Sequence, residues 1–438
     1  MKMTISPTLN KLAEVFGTIN VPLYIVGGYV RNAFLGFYDT DVDLCSALTP
    51  EQVKSLLKGT GFTTKVVNAK LGTLLIKSKF APEEYEYTPF RKENYALGGH
   101  HSPTEVSFAV DINEDAKRRD FTANCIYYDI KYGVVIDNYN GEQDIKNKQL
   151  KCIESPEFVF KSDGLRILRL IRVGAELGFT LEEQTYKTAK KLVAQLKDIS
   201  RERFNKEVLG MLYSDFRYAR LSKAGSHLNA VEQLTDMGAW GYVFPELLKY
   251  ESVKTLKSNP AHVVFPKDWY VTLTQAPPEL RAAALVYDIA TALNLRVNYQ
   301  LIDDVLGVKG LMIKKDEIKL ITDVLRASRI SRSGFASHRD ESIFIAKHHK
   351  IMTKLIDWQK ARKINSNLGV RYDFMLIEKA PMALRDLKIN GNDLKDTFPY
   401  MKPKQYAFHL NMALNAAIAD PSLNTKEKLL QYLKENGL

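Results

Sequence analysis

The fold is decided by the stretch Leu23-Tyr24-Ile25-Val26-Gly27-Gly28-Tyr29-Val30-Arg31, which is followed ten residues later by Asp41-Val42-Asp43-Leu44. An apolar strand runs into two glycines and an arginine, and a second strand carries two alternating carboxylates. Because alternate side chains of a strand share one face of a sheet, Asp41 and Asp43 are expected to converge on one point.

The chemistry of this stretch suits a nucleotide. Two converging carboxylates bind Mg²⁺. Gly27 and Gly28 let the backbone approach a triphosphate, and Arg31 and the start of the next helix can neutralise its charge. The stretch therefore predicts a site for phosphoryl-type transfer.

Periodicity changes along the chain. The first 150 residues alternate strands with helices, and from Pro156 onward the pattern is almost wholly helical. The predicted strands are Pro22–Val26, Asp41–Ser46, Thr63–Val67, Thr73–Lys77, Glu84–Thr88 and Asn124–Tyr128. The predicted helices of this part are Pro7–Gly17, Tyr29–Leu35 and Pro50–Lys58, and later apolar stripes include Leu181–Leu196, Arg203–Tyr213, Leu280–Leu293, Ile318–Ala327, Ile343–Ala361 and Met412–Ala419. We predict an α+β protein with an N-terminal mixed-sheet head and an all-helical remainder.

Chain length, net charge and cysteine content limit the classes of protein to which the chain can belong. The 438 residues predict about two to four domains. The net charge of +11 indicates a polyanionic partner or a surplus of solubilising lysines. Three scattered cysteines argue against a disulfide framework and a structural zinc site, and Cys45 and Cys125 are expected in the core. With no signal-like N-terminus and no long apolar run, we expect a cytoplasmic protein without a membrane segment.

The stretch Arg326–Lys363 is strongly basic. It holds ten Lys and Arg residues against Asp340, Glu341 and Asp357. Two interpretations stay open: a solvated helix face, or a surface that contacts a phosphate backbone far from the active site.

A second motif runs from Asp115 to Asn124. Taken alone, it indicates a helix end with one or two salt bridges that leads into a strand. Beside the first motif it also suits a clamp for sugar and triphosphate, because Arg118 and Arg119 can fork onto phosphates and Asp120 can accept from ribose hydroxyls.

A third motif runs from Ser162 to Arg172. Asp163, Arg166 and Arg169 are spaced three apart and are expected on one helix face, which by spacing alone indicates an ordinary ion pair. The functional alternative is a protein template for a base. An accepting Asp and a donating Arg match cytosine and adenine and leave uracil and guanine unpaired.

Together these motifs resemble the class II (bacterial-type) tRNA nucleotidyltransferases, the CCA-adding enzyme family of the DNA polymerase beta superfamily. The residues that match the family motifs are Gly27, Gly28, Val30, Arg31, Asp41, Asp43, Arg118, Arg119, Asp120, Thr122, Asp163 and Arg166. Similar segments are Phe90–Glu93 with Tyr95, Ile199–Arg203, Phe244–Leu247, Ile389–Leu394 and Asn424–Glu427. The resemblance covers nearly the whole chain.

The resemblance implies template-independent addition of CCA to the 3′ end of tRNA from CTP and ATP, with release of pyrophosphate. It implies Mg²⁺ held by the catalytic residues Asp41 and Asp43, and nucleotide contacts from the glycines and arginines of the three motifs, including Arg169 and Arg172. The implied domains are a head (1–150), a base-reading neck (151–215), a body (216–345) and a tail (346–438) that holds the upper arm of the tRNA. No protein partner is expected.

Some positions depart from the family pattern or bear on its subdivisions. Ser162 replaces the usual Glu, which puts base selection in doubt, and Asn32 replaces a common Asp, with little expected effect. No His-Asp dipeptide occurs, so no phosphohydrolase activity is expected. The full-length segment Arg91–Pro103 argues against a CC-only enzyme and leaves A-addition or poly(A) synthesis as alternatives. A non-catalytic RNA-binding relative is also considered. Glu86 is interpreted as a surface residue of an edge strand rather than a third carboxylate.

Overall fold

The structure is a computed structural model, and it describes residues 3–38, 41–94, 103–108, 111–197, 199–250, 253, 263 and 265–436. The internal contacts separate two compact units. The first comprises Met1–Pro266 with Val308–Met312, and the second comprises Lys267–Gly307 with Ile313–Leu438. The four domains expected from the sequence divide the chain more finely, and they stay a prediction.

A seven-stranded mixed sheet forms the centre of the N-terminal part. Its strands in chain order are β1 (Tyr24–Val26), β2 (Asp43–Ser46), β3 (Phe62–Asn68), β4 (Thr73–Ser78), β5 (Glu84–Pro89), β8 (Tyr127–Asp129) and β9 (Val134–Ile136). The spatial order is β3-β4-β5-β2-β1-β8-β9. Strands β2 and β5 pair in parallel, and the other neighbours are antiparallel. The predicted α+β class with a mixed sheet is confirmed.

Two smaller pairings lie outside this sheet. Strands β6 (Arg91–Asn94) and β7 (Glu105–Phe108) form an antiparallel pair. Strands β10 (Gln149–Leu150) and β11 (Thr180–Leu181) form a short parallel pair. The loop that β6 and β7 flank includes residues 95–102, so the predicted role of Tyr95 lies outside the described residues.

Three sequence expectations about strands are wrong. Strand β2 begins at Asp43 rather than Asp41, because its partner β1 ends at Val26 and turns away at Gly27. The strand expected from Asn124 begins at Tyr127, after a 3-10 turn over Thr122–Asn124. Strand β5 pairs on both sides, so Glu86 does not lie on an edge strand.

The first helix, Pro7–Gly17, starts and packs as its sequence predicts. Ser6 accepts a hydrogen bond from the Leu9 amide at the start of Pro7–Gly17, whose apolar positions repeat at helical spacing and are buried. The other α-helices that lie wholly within the described residues of this unit are Gly28–Phe34, Pro50–Leu57, Ile112–Lys117, Gly141–Lys146, Pro156–Ser162, Leu165–Leu177, Glu183–Lys191, Arg201–Leu212, Ser214–Arg217, Ser226–Asp236 and Trp240–Val243.

The described part of the second unit is helical. Its helices are Arg281–Ala292, Tyr299–Leu306, Lys315–Ser331, His338–Lys347, Met352–Ala361, Leu368–Ile377, Gly391–Thr397, Pro403–Ala419 and Lys426–Glu435. The stripe expected over Ile343–Ala361 is divided by a 3-10 turn at His349–Ile351. Within the described ranges, none of the helices combines the length and the apolar character that crossing a bilayer requires.

The cysteines are core residues. Cys45, Cys125 and Cys152 are buried free thiols, which confirms the expected burial of Cys45 and Cys125.

Candidate active site

A cavity of about 830 Å³ in the first unit gathers the residues of all three motifs. Its walls come from the ends of β1 and β2, the segment after Ile112–Lys117, and the helix Leu165–Leu177. Every predicted site residue lines it: Gly27, Gly28, Arg31, Asp41, Asp43, Arg118, Arg119, Asp120, Asp163, Arg166, Arg169 and Arg172. Motifs that are more than 130 residues apart in sequence therefore share one site.

The glycine turn brings backbone close to the carboxylates. Gly27 has a φ of +80°, a left-handed conformation that favours glycine. A Cβ atom at this position would lie 3.6 Å from Oδ2 of Asp43. The missing side chain leaves the floor of the cavity open beside Asp43.

Arg31 is buried and held by amide oxygens. Its Nε and Nη2 donate to Oδ1 of Asn32 at 3.0 and 2.9 Å, and its Nη1 donates to Oδ1 of Asn124 at 2.5 Å. Asn32 in turn donates to the Tyr218 hydroxyl at 2.9 Å. Burial lowers the pKa of Arg31. Asn32, which was expected to matter little, thus contacts the arginine directly and fixes its orientation.

Three carboxylates face the cavity together. Asp43 lies directly opposite Glu86 in the β2–β5 register, and Asp41 precedes it by two residues. Desolvation at the cavity wall, and then the charge of Glu86, raise the pKa of Asp43 to about 6. Such crowding of negative charge favours a bound cation.

The donor set fits an ion that shares its ligands with a substrate. The described residues contain no group of three His, Cys, Asp or Glu side chains that could hold a metal ion by themselves. Mg²⁺ commonly takes one or two carboxylates, with waters and substrate phosphates completing its coordination. Asp41 and Asp43 meet that requirement.

Asp115 organises the two arginines of the second motif. Its carboxylate accepts from Arg118 Nη2 at 2.7 Å, from Arg119 Nη2 at 2.8 Å and from the Tyr127 hydroxyl at 2.8 Å. Burial would raise the pKa of Asp115, but Arg119 and Arg118 hold it below its ordinary value. Arg118 and Arg119 therefore form the salt bridges that this motif predicts, and both also line the cavity.

Both carboxylate oxygens of Asp120 accept hydrogen bonds from groups of the protein. Nε and Nη2 of Arg169 both reach its Oδ2 at 2.7 Å, and the Phe121 amide and Asn124 Nδ2 reach its Oδ1. Burial opposes ionisation, but Arg169 holds the pKa of Asp120 below its ordinary value. The contacts make Asp120 a support for Arg169, and a ribose hydroxyl would have to share these oxygens.

Asp163 and Arg166, the residues predicted to read the base, are arranged differently from the sequence prediction. Asp163 lies in extended backbone between two helices rather than on one helix face with Arg166. Gly164 follows because the backbone carbonyl of Gln195 leaves no room for a Cβ atom there. Asp163 forms an ion pair with Arg203 at 2.5 Å, a partner forty residues away that the spacing did not indicate.

The guanidinium group of Arg166 is held in place by uncharged hydroxyl and carbonyl oxygens. Its Nη1 donates to Oγ of Ser162 at 2.9 Å, and its Nη2 donates to the Arg118 carbonyl at 2.5 Å. The Ser162 hydroxyl donates onward to the Val159 carbonyl. Ser162 thus supplies an acceptor at the position where the family carries Glu.

The base of the β6–β7 loop adjoins this pair. A smaller cavity of about 410 Å³ is lined by Arg91 and Glu93 together with Asp163 and Arg166. Arg91 donates to Glu93 at 2.6 Å, and Glu93 lies 3.8 Å from Arg118. Strand β6 is therefore connected to Arg118 of the second motif through Glu93.

Arg172 is engaged in a buried cluster. It pairs with Glu207 at 2.5 Å and with Glu176 at 2.8 Å. The predicted nucleotide contact from Arg172 would compete with both carboxylates, whereas its cluster ties the helix Leu165–Leu177 to Arg201–Leu212.

Sequence reasoning missed Asp115, Asn124 and Glu207 as members of the site. The signal for Asp115 was its spacing of three and four residues from Arg118 and Arg119. No comparable signal existed for the contacts of Asn124 with Arg31 and of Glu207 with Arg172, because these partners are distant in sequence.

Two family models match the chain. The model described as the poly(A) polymerase head domain matches residues 23–151. The model described as the probable RNA and SrmB binding site of polymerase A matches residues 178–251. The first spans the sheet and the first two motifs.

Individual proteins match over most or part of the chain. The CCA-adding enzyme of Staphylococcus epidermidis is 25% identical over 94% of this chain and 93% of its own length. That of Lactobacillus helveticus is 35% identical over 43% of this chain and 45% of its own length. A crystal structure of the Bacillus stearothermophilus CCA-adding enzyme in complex with CTP superposes with a TM-score of 0.68 at 22% identity, covering 98% of both chains. That structural likeness shows the fold.

Proposed function

We propose that the chain is a class II tRNA nucleotidyltransferase that adds CCA to the 3′ end of tRNA from CTP and ATP. The single observation that carries this proposal is the convergence of all twelve predicted residues on one cavity. The cavity joins carboxylates, arginines and a potential base-reading pair, which are the parts that nucleotidyl transfer requires.

Nucleotidyltransferases of this family generally use divalent metal ions, and we propose Mg²⁺ here, held by Asp41 and Asp43. When bound, such ions lower the pKa of the attacking 3′-hydroxyl and stabilise charge on the triphosphate. Glu86 adds a third negative charge opposite Asp43 and strengthens the attraction for cations.

Arginines of the first two motifs are proposed to position the triphosphate. Arg31 is held by neutral amides, so its positive charge is not cancelled by a carboxylate within ion-pair distance in the described structure. Arg118 and Arg119 are oriented by Asp115 and still line the cavity. Fixed guanidinium groups bind phosphate oxygens without a large loss of side-chain entropy.

Base selection is assigned to Asp163 and Arg166. The Arg203 ion pair positions the Asp163 carboxylate, which can accept a hydrogen bond, and Ser162 holds Arg166 as a donor. An acceptor beside a donor matches the Watson–Crick edges of cytosine and adenine, as the sequence argument required.

We also propose that the segment 346–438 holds the upper arm of the tRNA, and that the enzyme works in the cytoplasm where tRNA is matured. The basic residues Lys350 and Lys363 support the first point. Filter binding of tRNA to a Lys350→Gln/Lys363→Gln variant should show weaker binding and a smaller salt dependence. Unchanged binding would remove this segment from the proposal.

The test of the main proposal uses a tRNA that ends at its discriminator base. The protein is incubated with Mg²⁺ and with CTP, ATP, UTP or GTP separately, and then with CTP and ATP together. We expect two C residues from CTP alone and complete CCA from the mixture. Incorporation of ATP alone, repeatedly or once, would favour poly(A) synthesis or A-addition instead.

Asp41→Ala provides the matched control. It should abolish incorporation and leave tRNA binding nearly intact, because the carboxylate faces the nucleotide cavity. Full activity in this variant would refute the metal assignment.

A further inference from the structure

The second unit contains a concave basic cavity of about 590 Å³ that the proposed reaction does not use. It lies between the helices Arg281–Ala292, Tyr299–Leu306, Lys315–Ser331 and Met352–Ala361. Its volume is in the range of small-ligand pockets. Four cations of the basic stretch line it: Arg326, Arg329, Arg332 and Arg362.

Five arginines surround this cavity and no carboxylate lines it: Arg296, Arg326, Arg329, Arg332 and Arg362. Three of them follow one another at helical spacing along Lys315–Ser331 and its C-terminal cap. None of the five forms an ion pair among the described residues. Arg296, Arg326, Arg329 and Arg332 are exposed to solvent, and the charge of Arg362 acts on the buried Asp288. Guanidinium groups placed in this way can bind a phosphate through forked hydrogen bonds.

The floor and rim of the cavity are aromatic. Trp358 is buried at the floor, and Tyr287 packs edge-on against it at 5.8 Å between ring centroids. The Arg362 guanidinium lies 3.5 Å from the centre of the Tyr287 ring, which fixes its plane. Tyr299 is 66% exposed at the rim and offers an open face for stacking.

We propose that this cavity binds a nucleotide, with the phosphate against the arginines and the planar base against the aromatic side chains. The combination of stacking surfaces and unpaired guanidinium groups suits such a ligand better than inorganic phosphate alone. The nucleotide is either a free mononucleotide or an unpaired nucleotide of a bound RNA, since both present the same groups. This second site is separate from the proposed reaction, which takes place in the first unit.

Photolabelling of the full chain with 8-azido-AMP in the presence of EDTA tests the site, followed by peptide mass spectrometry. We expect label on the peptide that contains Tyr299. In Arg329→Gln/Arg332→Gln that label should fall about tenfold or more, because two phosphate contacts are lost. The matched control Arg339→Gln/Lys347→Gln removes the same charge at exposed positions outside the cavity and should label like the parent.

The outcomes separate support from refutation. If excess tRNA suppresses the label, the occupant is a nucleotide of RNA; if label persists with tRNA bound, it is a free nucleotide. Absence of label from this peptide, or an equal loss in both double variants, would overturn the proposal. Labelling requires no nucleotide incorporation, so its failure is distinguishable from failure of CCA addition.

Discussion

Replacing Asp115 by Asn should be the most informative single change in the candidate active site. The carboxylate is fully buried and accepts from Arg118, Arg119 and the Tyr127 hydroxyl. Asparagine keeps the shape, removes the charge and presents an NH₂ group to other donors. Two arginines then lose the group that orients them.

The magnitude follows from the burial of the partners. Removing one member of a buried ion pair costs about 3 to 5 kcal/mol. The side chains of Arg118 and Arg119 are 13% and 16% exposed, so water can replace part of the lost acceptor. We therefore expect the free energy of unfolding to fall by about 3 kcal/mol, which for a unit of this size lowers Tm by about 6 to 12 °C.

Thermal unfolding followed by circular dichroism measures this loss, and CTP incorporation measures its functional consequence. The KM for CTP should rise more than kcat falls, because the arginines bind phosphate in the ground state too. Glu114→Gln is the matched control. That side chain is 44% exposed and lies 3.7 Å from Lys92, so its loss should cost about 0.5 kcal/mol or less.

The pH dependence gives a second check. Because the pKa of Asp115 is held below its ordinary value of about 3.9, the stabilisation is complete above that pH and is lost as the pH falls through the folded-state pKa. The Tm difference between parent and variant should stay constant from about pH 5.5 to 8 and shrink only in stronger acid. A variant that melts with the parent at pH 7, or a difference that disappears near neutrality, would refute the reasoning.

Three further changes test other contacts of the site. Glu86→Gln should raise the Mg²⁺ concentration for half-maximal CTP incorporation several-fold, since a negative charge opposite Asp43 is lost; an unchanged titration would exclude that role. Ser162→Ala should lower kcat/KM for CTP and ATP by about fivefold and relax discrimination against UTP, because Arg166 loses an acceptor worth about 1 kcal/mol; unaltered discrimination would count against it. Asn32→Ala should raise KM for both nucleotides with base choice retained, and steady-state kinetics with each NTP would show whether it does.

The head could be predicted largely from local patterns. Gly27 needed a left-handed turn after a buried strand, and the apolar spacing of Pro7–Gly17 and the cap at Ser6 fixed the first helix. Sheet order could not be derived in this way. Because β5 pairs with a strand some forty residues earlier, Glu86 looked like an edge residue although it stands opposite Asp43.

The contact partners of individual side chains also could not be predicted from the sequence. Spacing suggested that Asp163 pairs with Arg166 on one helix face, but the chain is extended at Asp163 and the carboxylate pairs with the distant Arg203. Which donor reaches a carboxylate depends on distant backbone, and a sequence supplies only the local candidates.

The carboxylates of the site divide into two groups by their counter-charges, and this division supports the assignment of roles. Asp115 and Asp120 each form ion pairs with arginines. The positive charge of these arginines holds the pKa values of both carboxyl groups below their ordinary values although the groups are buried. Asp41, Asp43 and Glu86 form no ion pair within the described residues, and the pKa of Asp43 is raised to about 6. A protein gains nothing in stability from like charges placed side by side without partners, so these residues are expected to receive a cation from solution. The arginine-bound group, in contrast, has its charge already balanced and serves to hold the phosphate-binding side chains in place.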